Sequence, residues 1–325
     1  MMRGFVLANA FALIVAVACL ALLLLPAERA VRVRNAFLMR RGSIESFNWT
    51  PATPPSGFRE ERGRAPGVIE AAVDEAGVRD AGSDWQRARR LVEMLVRHAH
   101  HEGGIRADLA TTFEGIVAGY GYCADYVRVY LAAAASAGLF CRQWAFSFDG
   151  FGGHGHTFVE LYDRQRAGWA FIDVYNNVYA VLAGTEVPVN ALALRDALLH
   201  APGSIEFRQA APGRLGFPHF EKLLDYYRRG AGHWYLWWGN DVVTREQNGL
   251  ARILRLISGR LAHLAGSAFG SLPPLVVLAT SENEDAIARM EGLRRRVLGV
   301  AVLCVALLAS LVGQLGWQVF NRGHA

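Results

Sequence analysis

Lysine is almost missing from this chain: Lys222 is its only one, and arginine supplies every other fixed positive charge. Codon bias is the plain explanation for that. Acidic residues nearly match the basic ones, 29 against 34, and the formal excess is +5. The excess gathers beside the two apolar ends and leaves the middle close to neutral. The basic balance is therefore not read as a nucleic-acid footprint, and no nucleic-acid partner is expected. Cysteine is also scarce, with four in 325 residues. Cys19 and Cys304 fall inside apolar stretches, where a thiol behaves as a small hydrophobe. Only Cys123 and Cys141 remain, too few for a disulfide framework and without metal-type spacing. There is no internal repeat, low-complexity tract or nucleotide-binding motif. Neither a cofactor nor a metal ion is expected.

What the chain has in excess is apolar sequence. Hydrophobic residues make up 52% and the mean hydropathy is +0.17, which points to membrane segments. Residues 5–25 are apolar apart from Asn9. At about 1.5 Å per residue they are long enough to cross a hydrocarbon core of roughly 30 Å. A cleaved signal peptide would have a shorter apolar region, so an uncleaved anchor is expected. Residues 297–317 form a second charge-free run that ends on the interfacial aromatic Trp317. Arg29, Arg32, Arg34, Arg40 and Arg41 follow the first run, and Arg289, Arg294, Arg295 and Arg296 precede the second. The positive-inside rule then puts both termini outside and the middle in the cytoplasm. The expected setting is a bacterial inner membrane, with the lipid bilayer as a partner.

The expected organisation is an anchor over 1–27, an irregular segment over 28–83, a core over 84–200, an aromatic-rich helical extension over 201–296 and a closing transmembrane helix. Pro51, Pro54, Pro55 and Pro66 make the second part irregular, with Phe47, Trp49 and Phe58 pinning it to the domain surface. Residues 84–99 read as an amphipathic helix with Ser83 as its N-cap. His98, His100 and His101 follow; groups near a helix C-terminus suit them better than a metal site. A helix is expected over 123–137. Strand-like runs follow at 142–148, 156–162 and 169–174. Helix followed by strands implies an α+β fold, the helix packed on an antiparallel sheet. Residues 220–227 and 250–264 read as helical. The aromatic segment 233–240 reads as packing rather than as a ligand platform.

Cys123 carries the chemistry in this reading. A thiol attacks only as thiolate, and a helix start beside a histidine favours that form. Gly119 and Gly121 permit close approach of a substrate backbone. A buried, inert cysteine is the alternative for any single Cys, but the surrounding pattern argues against it. Gly121-Tyr-Cys-Ala-Asp-Tyr, followed by Ala-Ser-Ala-Gly138-Leu-Phe-Cys-Arg142, resembles the nucleophile helix of transglutaminase-like domains of the papain-type cysteine enzymes. His156-Thr-Phe-Val-Glu160 and Gly168-Trp-Ala-Phe-Ile-Asp173 resemble the two strands that follow it in that family. The resemblance spans roughly residues 85–179. It implies Cys123, His156 and Asp173 as catalytic residues and no catalytic role for Cys141.

Strand alternation supports the same trio. His156, Phe158 and Glu160 share one face, as do Trp169, Phe171 and Asp173. Pairing Leu161 with Gly168 sets His156 directly across from Asp173, at hydrogen-bonding range, and sets His154 across from Tyr175. Glu160 is then a satisfied sheet carboxylate. The resemblance implies thiol-mediated acyl transfer or hydrolysis on an amide or ester, with a protein or peptide substrate. The Cys123 backbone N–H would be one oxyanion donor, with Tyr120 or Tyr122 as candidates for a second. The rival expectation is a non-catalytic accessory or scaffold protein of cell-envelope or polysaccharide assembly that kept the fold.

Overall fold

The computed structural model describes residues 2–24, 27–97, 101, 103–105, 107–217, 219–247 and 270–322. Its centre is one sheet built from β1 (Met39–Gly42), β2 (Cys141–Ser147), β3 (Gly155–Asp163), β4 (Gly168–Asp173), β5 (Val178–Leu182), β6 (Ile205–Gln209), β7 (Trp234–Trp237) and β8 (Leu275–Leu278). The spatial order is β1-β8-β7-β2-β3-β4-β5-β6. Every neighbouring pair is antiparallel except β1 with β8. The fold is thus mixed α+β on a mostly antiparallel sheet.

Alternation along the strands sorts two apolar layers onto its faces. One face carries Val159, Leu161 and Ile172 and is covered by α3 (Gly67–Glu75), α4 (Asp84–Val96), α5 (Leu109–Val117) and α6 (Cys123–Ser136). Ser83 caps α4, its Oγ accepting from the Gln86 N–H at 3.1 Å. The other face carries Trp144, Phe146, Phe158, Phe171 and Trp234 and is covered by α7 (Ala191–His200) and α8 (Leu223–Gly230).

The segment 28–83 is more ordered than its prolines suggest. It supplies most of α2 (Ala27–Leu38), then β1 and α3. Phe47, Trp49 and Phe58 do not merely pin it to the surface. All three are buried, in an aromatic layer with Phe140, Trp144, Trp169 and Trp238. Strands β6, β7 and β8, from beyond residue 200, complete the same sheet, so the core does not stop at that boundary. A short helix, α9 (Val242–Gln247), follows β7. The expected helix over 250–264 lies outside the described residues, as do His98 and His100.

Helices α1 (Met2–Leu24) and α10 (Glu284–Arg322) contain the two apolar runs, and each is long and apolar enough to cross a membrane. The expected helix over 297–317 is the distal part of α10, which is 39 residues long. The two helices are antiparallel neighbours, and Asn9 Nδ2 donates to Ser310 Oγ at 2.9 Å.

One register differs from expectation. Leu161 pairs with Ala170 and Asp163 with Gly168. The hairpin turn is tighter than the polar run 163–168 implied. Asp163 Oδ1 accepts from the backbone N–H groups of Gln165 and Arg166 at 3.0 and 3.4 Å, and Ala167 takes a left-handed φ of 50°. The offset is two residues, so each side chain keeps its face.

Candidate active site

The turn before α6 is shaped by glycine. Gly119 and Gly121 have φ of 92° and 110°, which side chains other than glycine rarely adopt. Their stretch is tied to residues 101–105: His101 N–H donates to Gly119 O at 2.5 Å and Gly121 N–H to Gly103 O at 2.7 Å. Asp125, in the first turn of α6, accepts from the N–H groups of Tyr122 at 2.9 Å and Ile105 at 3.0 Å. These contacts fix Cys123 as the first residue of α6. Its thiol is half-buried and free of any disulfide. The first N–H groups of a helix have no acceptor within it, so the Cys123 and Ala124 amides point out of α6 beside that thiol. Tyr120 and Tyr122 are 45% and 53% exposed, and the Tyr122 ring covers Gly104.

His156 lies on β3 and is 4% exposed. Its Nε2 pairs with Asp173 Oδ2 at 2.6 Å, which leaves Nδ1 as the nitrogen not committed to the carboxylate. Asp173 is fully buried and held from several sides. Asn176 Nδ2 donates to Oδ2 at 2.7 Å and the Asn176 N–H to Oδ1 at 3.1 Å. The Tyr227 hydroxyl also donates to Oδ2. Aromatic rings pack round the imidazole, with Tyr226, Phe146, Tyr227 and Tyr175 at centroid distances of 5.6, 5.7, 6.1 and 6.2 Å.

Burial alone would lower the His156 pKa, but the Asp173 charge outweighs it, with help from Tyr226 and Cys123, and holds the ring well above its ordinary value. Burial likewise pushes Asp173 upward. The His156 charge and the donated hydrogen bonds win, and its carboxyl sits below the usual range. Both shifts favour the charged forms, imidazolium against carboxylate.

Cys123 and His156 approach from opposite faces of the sheet. Helix α6 packs on the Val159 face, whereas His156 shares the aromatic face with Phe146 and Phe158. Tyr175, just past the end of β4, bridges the two faces: its ring is 5.5 Å from that of Tyr126 on α6 and 6.2 Å from His156. Cys123 is close enough to act electrostatically on His156, Tyr175 and Tyr226. Among the described residues the side-chain hydrogen bond of His156 runs from Nε2 to Asp173, not to the thiol.

Glu160 is held as a structural carboxylate. Its carboxylate accepts from Arg142 Nε at 2.7 Å, from Trp144 Nε1 and from the Ala191 N–H. Arg142 is itself sandwiched by aromatics, 3.9 Å from the Trp169 ring centroid. Burial pushes the Cys141 thiol far up, which keeps it protonated and inert. His154 is exposed in the loop before β3.

Asn176, Tyr175, Tyr226 and Tyr227 were not expected at the site from the sequence. An Asn three residues after a strand-terminal Asp is a local turn signal that pointed to Asn176. Tyr227 reaches Asp173 from 54 residues away, and no local pattern announces that. Comparison of the chain with protein-family models, curated proteins and solved structures gives no match.

Proposed function

We propose that this protein is a membrane-anchored cysteine enzyme that performs acyl transfer or hydrolysis on an amide or ester, with Cys123 as nucleophile, His156 as acid and base, and Asp173 as the group that orients the ring. The observation that carries the reading is the His156–Asp173 pair at 2.6 Å. It is built on the aromatic face of a sheet whose other face carries a helix that begins at Cys123. An imidazolium held by a buried carboxylate supplies the positive charge a thiolate needs and the proton a leaving group takes.

In this scheme the Cys123 thiolate attacks the carbonyl carbon and forms a C–S bond. The Cys123 and Ala124 amides stabilise the oxyanion. Collapse breaks the bond to the leaving amine or alcohol, which takes a proton from His156. Neutral His156 then accepts a proton from water or an acceptor amine as it attacks the thioester. The C–S bond breaks and the ion pair returns. Substrate binding has to bring the thiol into line with Nδ1, the ring nitrogen that the Asp173 contact leaves uncommitted. The arginine distribution supports a cytoplasmic domain in a bacterial inner membrane, and protein or peptide chains are the proposed substrate class.

The test is covalent capture. Full-length protein in detergent is incubated with a panel of activated acyl donors and examined by intact mass. A hydroxylamine-sensitive adduct on Cys123, absent in C123S, is the expected result. Absence of any thioester across the panel favours the scaffold reading.

A further inference from the structure

A cleft of about 270 Å³ lies where the two apolar helices enter the domain. It is lined by Arg29, Arg32 and Val33 of α2, by Arg289, Met290, Leu293 and Arg296 of α10, and by Asp149 and Gly150 of the loop between β2 and β3. Helical spacing explains the convergence. Residues 29, 32 and 33 share one stripe of α2, and 289, 293 and 296 share one stripe of α10. Glycines let the loop come close. Gly150 and Gly153 have φ of 68° and 107°, and a Cβ on Gly153 would strike Val31. Asn35 Nδ2 donates to Phe151 O at 2.9 Å and locks the loop onto α2.

Charge in the cleft is one-sided. Four arginines face one aspartate. Arg32 spends itself on Asp149 at 3.2 Å, and Arg29 donates to Leu22 O at 3.0 Å, at the end of the first apolar run. Arg289 and Arg296 have no carboxylate partner among the described residues. Val33 and Met290, both buried, and Leu293 form an apolar wall beneath the guanidinium rim. The second apolar run starts at Val297, one residue past Arg296.

We propose that this cleft binds the phosphate of an anionic membrane lipid, the guanidinium groups of Arg289 and Arg296 gripping its oxygens and the Val33–Met290–Leu293 wall receiving the start of an acyl chain. Guanidinium forks match phosphate oxygens in pairs. A cationic rim over an apolar wall, at the level where both spans leave the bilayer, matches an amphiphile rather than a soluble anion. The site rests on the reading that α1 and α10 cross a membrane. Carbonate extraction of cell membranes tests that reading first and by itself.

The experiment is native mass spectrometry of the full chain in dodecyl maltoside, titrated with phosphatidylglycerol or phosphatidylcholine. Wild type is expected to retain phosphatidylglycerol in preference, and R289Q/R296Q to bind it roughly 10- to 30-fold more weakly. R294Q/R295Q, which removes the same charge outside the cleft lining, is expected to bind within about threefold of wild type. Inorganic phosphate at equal concentration is expected not to displace the lipid. Equal retention of the two lipids, equal loss in both double variants, or displacement by inorganic phosphate each overturns the proposal. The wild-type lipid comparison and the phosphate competition need no variant, so they decide the matter even where R289Q/R296Q fails to fold.

Discussion

Asp173 Oδ2 sits 2.6 Å from His156 Nε2 although the two residues are diagonal, not opposed, on the β3–β4 hairpin. A diagonal pair is bridged only when both side chains reach toward each other, and the Asp173 carboxylate is aimed by Asn176 and Tyr227.

Tyr227→Phe isolates that aiming contact. The ring keeps its packing against Phe207 and Phe171 and loses only the hydroxyl. A hydrogen bond to a buried charge is worth about 1.5–3 kcal/mol, and urea unfolding at pH 7 should show a loss of that size. The contact also helps to hold Asp173 below its usual range, so acid unfolding of the variant should begin at higher pH. An unchanged acid limb would remove Tyr227 from the supporting set.

The ion pair predicts a window of stability. His156 has its folded pKa raised above the unfolded value of about 6.5. Its contribution is complete below about pH 6.5 and fades as pH rises through the folded value. Asp173 is shifted down. Its contribution is complete above about pH 4 and fades as pH falls through the depressed value. Both are therefore present in full between about pH 4 and pH 6.5. The difference in unfolding free energy between wild type and the double variant H156Q/D173N should be greatest there and shrink on either side. A difference that keeps growing toward pH 9 contradicts the charged pair.

How much of this was legible from the residues follows the range of each interaction. Helix α6 starts at Cys123, because glycines, an aspartate in the first turn and an alanine-rich run are local signals. Strand parity was equally local, so His156, Asp173 and Glu160 came out on one face. The register was not legible, because Asp163 folding back on Gln165 and Arg166 shortens the turn through side-chain bonds that hydrophobic period does not encode. The parallel pairing of β1 with β8 joins residues more than 230 positions apart, Met39 with Leu275, and the ordered part of 28–83 follows from such distant partners.

The tryptophans of β7 divide by face. Trp234 is fully buried and stacks on Phe146 at 5.9 Å, on the sheet face that carries His156. Trp237 is only half-buried, against Arg34 and Tyr235. Trp234→Ala should cost about 3–5 kcal/mol, as a large core truncation does, and Trp237→Ala clearly less, under about 3 kcal/mol. Chemical denaturation of the two variants side by side checks the order, and a larger loss at Trp237 would reverse the assignment.

Arginine placement predicts topology. A reporter fused after Ala325 should be extracytoplasmic, since Arg29, Arg32, Arg289 and Arg296 all lie on the domain side of the apolar runs. Cytoplasmic activity of that reporter would put the domain outside.

The thiol itself is the sharpest probe of the proposed chemistry. If the proposed pair forms, alkylation of Cys123 by iodoacetamide should depend on His156, and His156→Ala should slow it by about tenfold or more. Asp173→Asn should slow it too, because the neutral amide no longer holds the ring charged. Cys141→Ala should change nothing: that thiol is 2% exposed and burial keeps it protonated. His154→Ala should also leave the rate near wild type, because His154 is exposed in the loop before β3. In the proposed mechanism base and nucleophile act as one unit, so any acyl transfer should fall by a similar amount in Cys123→Ser and His156→Ala and no further in the double variant. The comparison separates enzyme from scaffold without knowledge of the substrate. If Cys123 reacts at the same rate with and without His156, the pair at β3 and β4 orders the sheet and does not activate the helix in front of it.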